Sequence, residues 1–201
     1  MVKWIADEMR LAAAYYPEHW ERALWEDDIL RMKQHGISVL RIGDFAWSLY
    51  EFREGEFTLG YYDDFLDLCE KHDMRVIFCT PTAAPPMRMI RAYPQVLNCD
   101  REGNAYQGPR RHYSYNSPEY RRFCARIVEK LAEQYGQRPC IVGWQIDNEL
   151  NCDLSEFFAE ADHTAYRAYL QDKFGTLENL NDCLGLTFWS RRYSDWSQVR
   201  L

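Results

Sequence analysis

Residues 117–149 of the chain read SPEYRRFCARIVEKLAEQYGQRPCIVGWQIDNE. Ser117 and Pro118 predict the start of a helix, because a serine side chain can cap free backbone N–H groups and proline costs nothing at the first helical position. Apolar residues then recur at steps of three and four until Gly136 ends the pattern. The apolar run of residues 140–146 is typical of a strand buried on both faces of a parallel sheet.

The same order of helix and strand occurs twice earlier in the chain, and an apolar segment opens it. The predicted strands are residues 11–16, 37–42, 74–79 and 140–146, and the apolar helix stripes between them begin at Trp25, Tyr62 and Tyr120. Gly36 ends the first of these helices, directly before the second strand. Strands that alternate with helices imply a parallel sheet with right-handed crossover connections. No linker rich in Gly, Ser or Pro divides the chain, so we expect one domain.

Two α/β folds share this alternation, the doubly wound open sheet and the (β/α)8 TIM barrel. The open sheet usually has a glycine-rich turn after its first strand, whereas YPEHW at residues 16–20 contains no glycine. A barrel is therefore predicted, and the polar residues just past the strands, near Asp44, Thr80 and Asp147, would meet at its C-terminal face. Four strands use the first 146 residues, so the 201-residue chain holds only the first half of such a barrel, about four βα units.

The composition is that of a folded, acidic protein. Hydrophobic residues make up 47% of the chain and aromatic residues 15%, which excludes a disordered protein. The formal charge is −7, so no basic surface is expected to bind nucleic acid or an anionic membrane. No apolar stretch approaches the roughly 20 residues of a membrane span, and Asp7 and Glu8 interrupt any signal peptide, so we expect a cytoplasmic location.

Metal binding is not expected from the sequence. The seven cysteines are scattered without a CxxC pair, which favours core packing over disulfides or metal ligation. His112 and His163 have no partner at the spacing of a metal site.

Glu149 is the strongest catalytic candidate, because it lies directly beyond an apolar strand and next to Asn148. Burial near Trp144 would favour the protonated carboxyl group, which can donate a proton to a leaving oxygen as the acid of a glycosidase must. The alternative is a carboxylate that caps the next helix or pairs with an arginine. Position alone leaves both interpretations open.

Two further groups of residues could bind a ligand. Arg110 and Arg111 lie in the long loop 101–116, where an arginine fork could hold sugar hydroxyls or a carboxylate, or form a solvated pair. Aromatic side chains can stack on the C–H faces of sugars, although most of the 31 in this chain must be ordinary core. The tryptophans considered for stacking are Trp47, Trp189 and Trp196.

Six motifs occur in a fixed order along the chain. They are YPEHW (16–20), RIGDFAWS (41–48), TPTAAPP (80–86), RRHY (110–113) with NSP (116–118), GWQIDNE (143–149) and FWSRRYSDW (188–196). Together they resemble the N-terminal part of the catalytic domain of the β-galactosidases of glycoside hydrolase family 42, from about residue 11 to the end of the chain.

The resemblance implies a (β/α)8 barrel that hydrolyses terminal β-D-galactosides, or small oligosaccharides that carry them, with retention of configuration. Residues 1–201 would then be the N-terminal portion of a single catalytic domain. Glu149 would be the general acid/base, Asn148 would bind the hydroxyl next to the reacting carbon, and Arg110 would contact substrate or nucleophile. Trp189 would line the pocket. The resemblance further implies that no organic cofactor is needed and that the full-length form is a homotrimer.

The chain also departs from the family pattern. Ser114 and Tyr115 stand where some members carry a zinc-binding cysteine, and Asp44 stands where glutamate is usual. The family nucleophile is a second glutamate at the end of the seventh strand, beyond the C-terminus of this chain. Glu18 and Asp44 are not expected to replace it, because near-attack geometry tolerates little misplacement. We therefore expect the fragment alone to be inactive.

Two alternatives stay open at this point. The chain could be a non-catalytic protein that binds sugar or a complementary half-barrel. It could also be part of a related barrel glycosidase that prefers another sugar, such as an α-L-arabinoside.

Overall fold

A computed structural model describes residues 9–108, 110–150, 152 and 155–201. The strands are β1 (Leu11–Ala14), β2 (Ile37–Ile42), β3 (Arg75–Cys79) and β4 (Ile141–Gln145). The helices are α1 (Trp25–Gln34), α2 (Trp47–Tyr50), α3 (Asp63–Lys71), α4 (Met87–Ala92), α5 (Pro118–Tyr135), α6 (Glu160–Phe174) and α7 (Leu177–Cys183), with short 3-10 turns between several of them.

The chain divides into two compact units. Unit 1 takes in Met1–Arg88 and Cys124–Leu150, and unit 2 takes in Met89–Phe123 and Asn151–Leu201. Unit 1 holds all four described strands. The expectation that the chain is part of one catalytic domain stays a prediction.

The strands of unit 1 form a parallel sheet whose spatial order, β1-β2-β3-β4, follows the order of the chain. A doubly wound sheet reverses its strand order at a switch point, whereas each barrel strand pairs with the next one along the sequence. The sheet therefore agrees with the predicted first half of a barrel.

The local signals read from the sequence are found at the ends of these elements. The Ser117 hydroxyl accepts a hydrogen bond from the Tyr120 N–H at 3.3 Å, so it caps α5 as predicted. Gly36 has φ +82° between α1 and β2, a left-handed conformation that favours glycine. The predicted elements are confirmed, with strand ends that differ by one or two residues.

An aromatic cluster fills the space between the sheet and the helices of unit 1. The Phe78 ring on β3 lies 4.8 Å from the Tyr135 ring and 5.2 Å from the Trp144 ring, measured between centroids. Phe65 on α3 packs edge-on against Trp25 on α1 at 5.5 Å. The first contact packs α5 against the sheet, and the Phe65–Trp25 contact joins α1 to α3.

The prediction that β4 is buried on both faces is wrong for this chain. Its residues are only half-buried, and Ile146 directly after it is 72% exposed. Within the described part of the chain β4 pairs with β3 alone, so its other edge faces solvent. β1 lies at the opposite edge of the sheet and is also largely exposed.

The cysteines are only partly core residues. Cys69, Cys79 and Cys140 are buried, as core packing predicts, and burial raises the pKa of the Cys79 and Cys140 thiols to about 12. Cys183 is exposed on α7, and the other three cysteines are half-buried, so core packing does not describe them. All seven are free thiols.

Unit 2 has a core of its own around Leu170, Leu180 and Val199. Trp196 is half-buried and packs against this core. The Asn181 amide ties α7 to the C-terminal segment, since it donates to the Tyr193 carbonyl and accepts from the Tyr193 N–H, both at 2.8 Å.

Neither a membrane-spanning helix nor a metal-binding cluster is found in the described residues. No helix there is long and apolar enough to cross a bilayer. No group of three or more His, Cys, Asp or Glu side chains in those ranges is arranged to hold a metal ion.

Candidate active site

The segment Asp147-Asn148-Glu149 follows β4 in an unusual backbone conformation. Asp147 has φ 58° and Glu149 has φ 45°, both in the left-handed region that costs a residue with a β-carbon about 1–3 kcal/mol. The Asp147 N–H donates to the Thr80 hydroxyl at 2.7 Å, and the Thr82 hydroxyl donates to Asp147 Oδ2 at 2.8 Å. These bonds from the loop after β3 hold the strained turn in place. Such strain is concentrated at functional sites.

Asn148 is 7% exposed, and its side-chain amide has a defined orientation. Its Oδ1 accepts hydrogen bonds from Arg41 Nη1 at 3.1 Å and from Gln145 Nε2 at 3.2 Å. The two donors require the oxygen of the amide, not the nitrogen, on this side. The Nδ2 group is therefore the donor that Asn148 can offer to a ligand.

Arg41, at the end of β2, is the centre of this polar network. Its Nη2 lies 3.0 Å from Oδ2 of Asp44 and donates to the Tyr16 hydroxyl at 3.3 Å, while Nη1 also donates to Gln145 Oε1 at 3.3 Å. Asp44 is fully buried, so the Arg41–Asp44 ion pair is shielded from solvent on the carboxylate side. Burial and the Asp44 charge raise the pKa of the Tyr16 hydroxyl, which therefore stays protonated at neutral pH.

The Glu149 side chain is exposed, so the burial expected from its place after an apolar strand is wrong for this chain. Leu150 beside it is also exposed, at 61%. The reason lies in the sheet: Glu149 stands past the end of β4, which has no strand on its outer side among the described residues.

The carboxylates weighed as substitute nucleophiles both have structural partners. Asp44 is paired with Arg41 as described above. Glu18 Oε2 accepts a hydrogen bond from the Tyr62 hydroxyl at 2.6 Å. These partners support the expectation that neither group replaces the family nucleophile.

Arg110 and Arg111 belong to unit 2 and differ in their surroundings. Arg110 is half-buried, with Nη2 at 4.0 Å from the Cys152 sulfur. Arg111 is 3% exposed, has φ 56° and donates to the Tyr115 hydroxyl, so a solvated pair is the wrong interpretation for it. A substrate contact by Arg110 stays a prediction.

Two of the tryptophans suggested for stacking also lie in contrasting positions. Trp189 is 80% exposed and stacks on Phe188 with 5.0 Å between ring centroids. Trp47 is fully buried, and its indole N–H donates to Glu51 Oε2 at 3.0 Å. It is therefore a core residue and does not stack on a sugar.

The sequence did not indicate that Glu51 forms buried ion pairs in unit 1. Its carboxylate is fully buried, lies 2.9 Å from Arg88 Nη2 and is also paired with Arg126. The Gly55 N–H donates to its Oε1 at 2.8 Å. No local pattern marks this group, because its partners come from α4 and α5.

Two buried histidines of unit 2 are expected to make stability depend on pH. Burial lowers the pKa of His112, and burial followed by the positive charge of Arg200 lowers the pKa of His163. An unfolded histidine has a pKa near about 6.5, so below that pH the unfolded chain binds more protons than the folded chain. We expect the free energy of unfolding to fall as the pH decreases from about 7 to about 5.

Urea unfolding at several pH values tests this expectation. In His112→Gln the loss of stability on acidification should be smaller than in the unchanged chain, whereas His35→Gln, at an exposed position, should leave it the same. Equal pH dependence in His112→Gln and the unchanged chain would contradict the role of His112.

Comparison with known proteins gives a consistent result. The Beta-galactosidase family model of glycoside hydrolase family 42 matches residues 14–201. The beta-galactosidase BgaA of Thermus sp is 41% identical over 193 residues, which is 95% of this chain and 30% of that protein. This chain spans about 30% of the length of the curated relatives it matches.

Solved structures agree with the fold. The beta-galactosidase from the psychrophilic Marinomonas ef1 has a TM-score of 0.93 at 40% identity, over 96% of this chain and 30% of that one. The polyextremophilic beta-galactosidase from Halorubrum lacusprofundi has a TM-score of 0.91 at 35% identity, over 96% of this chain and 29% of that one. The sheet of unit 1 is thus the first half of a (β/α)8 barrel.

Proposed function

The chain belongs to the beta-galactosidases of glycoside hydrolase family 42, and on that premise we propose that it carries the acid/base half of an active site that hydrolyses terminal β-D-galactosides with retention. The observation that carries the proposal is the turn after β4. There Glu149 follows Asn148, whose amide is held by Arg41 and Gln145.

Retaining hydrolysis uses two carboxyl groups about 5–5.5 Å apart. In the proposed mechanism Glu149 protonates the glycosidic oxygen while a second carboxylate, outside this chain, attacks the anomeric carbon and forms a covalent galactosyl intermediate. Glu149, now ionised, then removes a proton from the water that releases galactose. The exposure of Glu149 in this chain is consistent with a site that further barrel strands complete.

Two further residues have proposed binding roles. Asn148 Nδ2 donates a hydrogen bond to the hydroxyl next to the reacting carbon, because its Oδ1 is taken by Arg41 and Gln145. Arg110 contacts the substrate or the nucleophile, a role that rests on the family motif alone.

The remaining expectations stay predictions. They are a homotrimer of the full-length form, a reaction without an organic cofactor and a cytoplasmic location. The formal charge of −7 supports the prediction that nucleic acid is not a partner. The alternative of a non-catalytic protein that binds sugar or a half-barrel is decided by the assay below.

The test compares the 201-residue chain with a completed protein. We define the completed protein as this chain fused to the part of Thermus sp BgaA that lies beyond the matched region. Nitrophenyl β-D-galactoside should be hydrolysed by the completed protein and not by the chain alone. Full activity of the chain alone would refute an external nucleophile, and a folded but inactive completed protein would favour the non-catalytic alternative. Nitrophenyl α-L-arabinoside and β-D-glucoside, assayed in parallel, measure the sugar preference.

A further inference from the structure

Arg41 contacts both Asn148, the proposed sugar-binding residue, and the buried Asp44 carboxylate. Its Nη1 donates to Asn148 Oδ1 at 3.1 Å, and its Nη2 lies 3.0 Å from Asp44 Oδ2. A guanidinium group is planar and rigid, so fixing one nitrogen also fixes the direction of the other. The buried Asp44 carboxylate therefore sets the position from which Nη1 contacts Asn148.

The Asn148 amide could in principle occupy two orientations related by a half-turn. In the reverse orientation the Asn148 NH2 group would face two donors, Arg41 Nη1 and Gln145 Nε2, and would find no acceptor on that side. A buried donor without a partner costs about 1–3 kcal/mol. Arg41 and Gln145 thus select the orientation in which Oδ1 points inward and Nδ2 is presented to a ligand.

We propose that Arg41 is a positioning residue that, together with Gln145, orients the Asn148 amide so that Nδ2 recognises the sugar hydroxyl next to the reacting carbon. The proposal rests on the function proposed above. It adds a source of substrate specificity to that site, because a substrate that lacks this hydroxyl group cannot accept the hydrogen bond from Asn148 Nδ2.

The first experiment measures Asn148 itself, without any assay of activity. In the isotopically labelled 201-residue chain, the Asn148 side-chain NH2 signals in NMR are identified by their absence in Asn148→Asp. Arg41→Met should shift or broaden these signals, and Arg53→Met, at a position 72% exposed, should leave them unchanged. Unchanged Asn148 signals in a folded Arg41→Met chain would overturn the proposal.

Arg41→Met removes the positive charge that pairs with the buried Asp44 carboxylate, which can unfold the chain. Two other variants keep the proposal testable in that case. Arg41→Met combined with Asp44→Asn removes both charges together, and Gln145→Leu removes the second donor to Asn148. Each should alter the Asn148 signals, and if both leave them unchanged the proposal fails.

The second experiment uses the completed protein and compares a β-galactoside with its 2-deoxy analogue. Arg41→Met should lower kcat/KM for the galactoside by about 10²-fold, the effect of a small misplacement of a binding group. The loss should be much smaller for the 2-deoxy analogue, and adding Asn148→Ala should cause little further loss, because both changes remove the same interaction.

The outcomes separate this proposal from the proposed function. Asn148→Ala could lower kcat/KM more for the galactoside than for the 2-deoxy analogue while Arg41→Met shows no such difference. In that case Asn148 keeps its role and the positioning role of Arg41 is refuted. If Asn148→Ala itself affects both substrates equally, the role proposed for Asn148 fails, and the proposal for Arg41 fails with it. A purely structural Arg41 would lower kcat/KM for both substrates by the same factor, which also overturns the proposal.

Discussion

Glu149→Gln in the completed protein is expected to lower kcat/KM for a β-galactoside with a poor leaving group, such as lactose, by about 10²–10⁴-fold. Glutamine keeps the size of the side chain but cannot donate the proton that the leaving sugar oxygen needs. Steady-state kinetics measure the effect. Glu133→Gln, an exposed position on α5, is the matched control and should leave the rate unchanged.

The choice of substrate separates acid catalysis from a general loss of structure. With dinitrophenyl β-galactoside the leaving group departs without protonation, so the galactosylation step should be much less affected in Glu149→Gln. If both substrates lost activity by the same factor, or if lactose hydrolysis survived, Glu149 would not be the acid.

Glu51→Gln is expected to cause a large loss of stability in unit 1. The change leaves Arg88 and Arg126 beside a neutral group at a fully buried position, and it weakens the acceptor of the Trp47 indole N–H. Removing one partner of a buried ion pair costs about 3–5 kcal/mol. Because both arginines are partly exposed, we expect the lower end of that range, about 3 kcal/mol.

Urea denaturation monitored by circular dichroism tests this expectation. Glu56→Gln is the control, since Glu56 pairs with Arg53 at the surface. This substitution should lower the free energy of unfolding by less than about 1 kcal/mol. Similar unfolding free energies for the two variants would mean that the Glu51 cluster does not stabilise unit 1 in the way its burial implies.

The fold could be predicted because its signals are local. Ser117 before α5 and Gly36 after α1 are read directly from neighbouring residues, and the structure has them in those roles. Apolar periodicity then gave the alternation of strands and helices. The absence of glycine after β1 favoured a barrel over a doubly wound sheet, and the order of the strands agrees with a barrel.

The polar network of the site could not be predicted in the same way. Arg41 and Gln145 are 104 positions apart, and the Glu51–Arg126 pair spans 75. The packing of parallel strands brings Arg41 to Gln145, and the packing of α5 beside the segment after α2 brings Arg126 to Glu51. No periodicity in the sequence carries that information. Burial of Glu149 was predicted from a complete strand environment, and it is wrong because β4 is an edge strand in the described part of the chain.

Azide rescue of Glu149→Ala, in the completed protein with dinitrophenyl β-galactoside as substrate, tests whether Glu149 is the acid/base of a retaining galactosidase. Azide should occupy the space of the missing carboxyl group, attack the anomeric carbon of the covalent intermediate from the face that water normally uses, and release the nucleophilic carboxylate. We expect an azide-dependent increase in rate with β-galactosyl azide as the product. No rate increase, or α-galactosyl azide as the product, would contradict it.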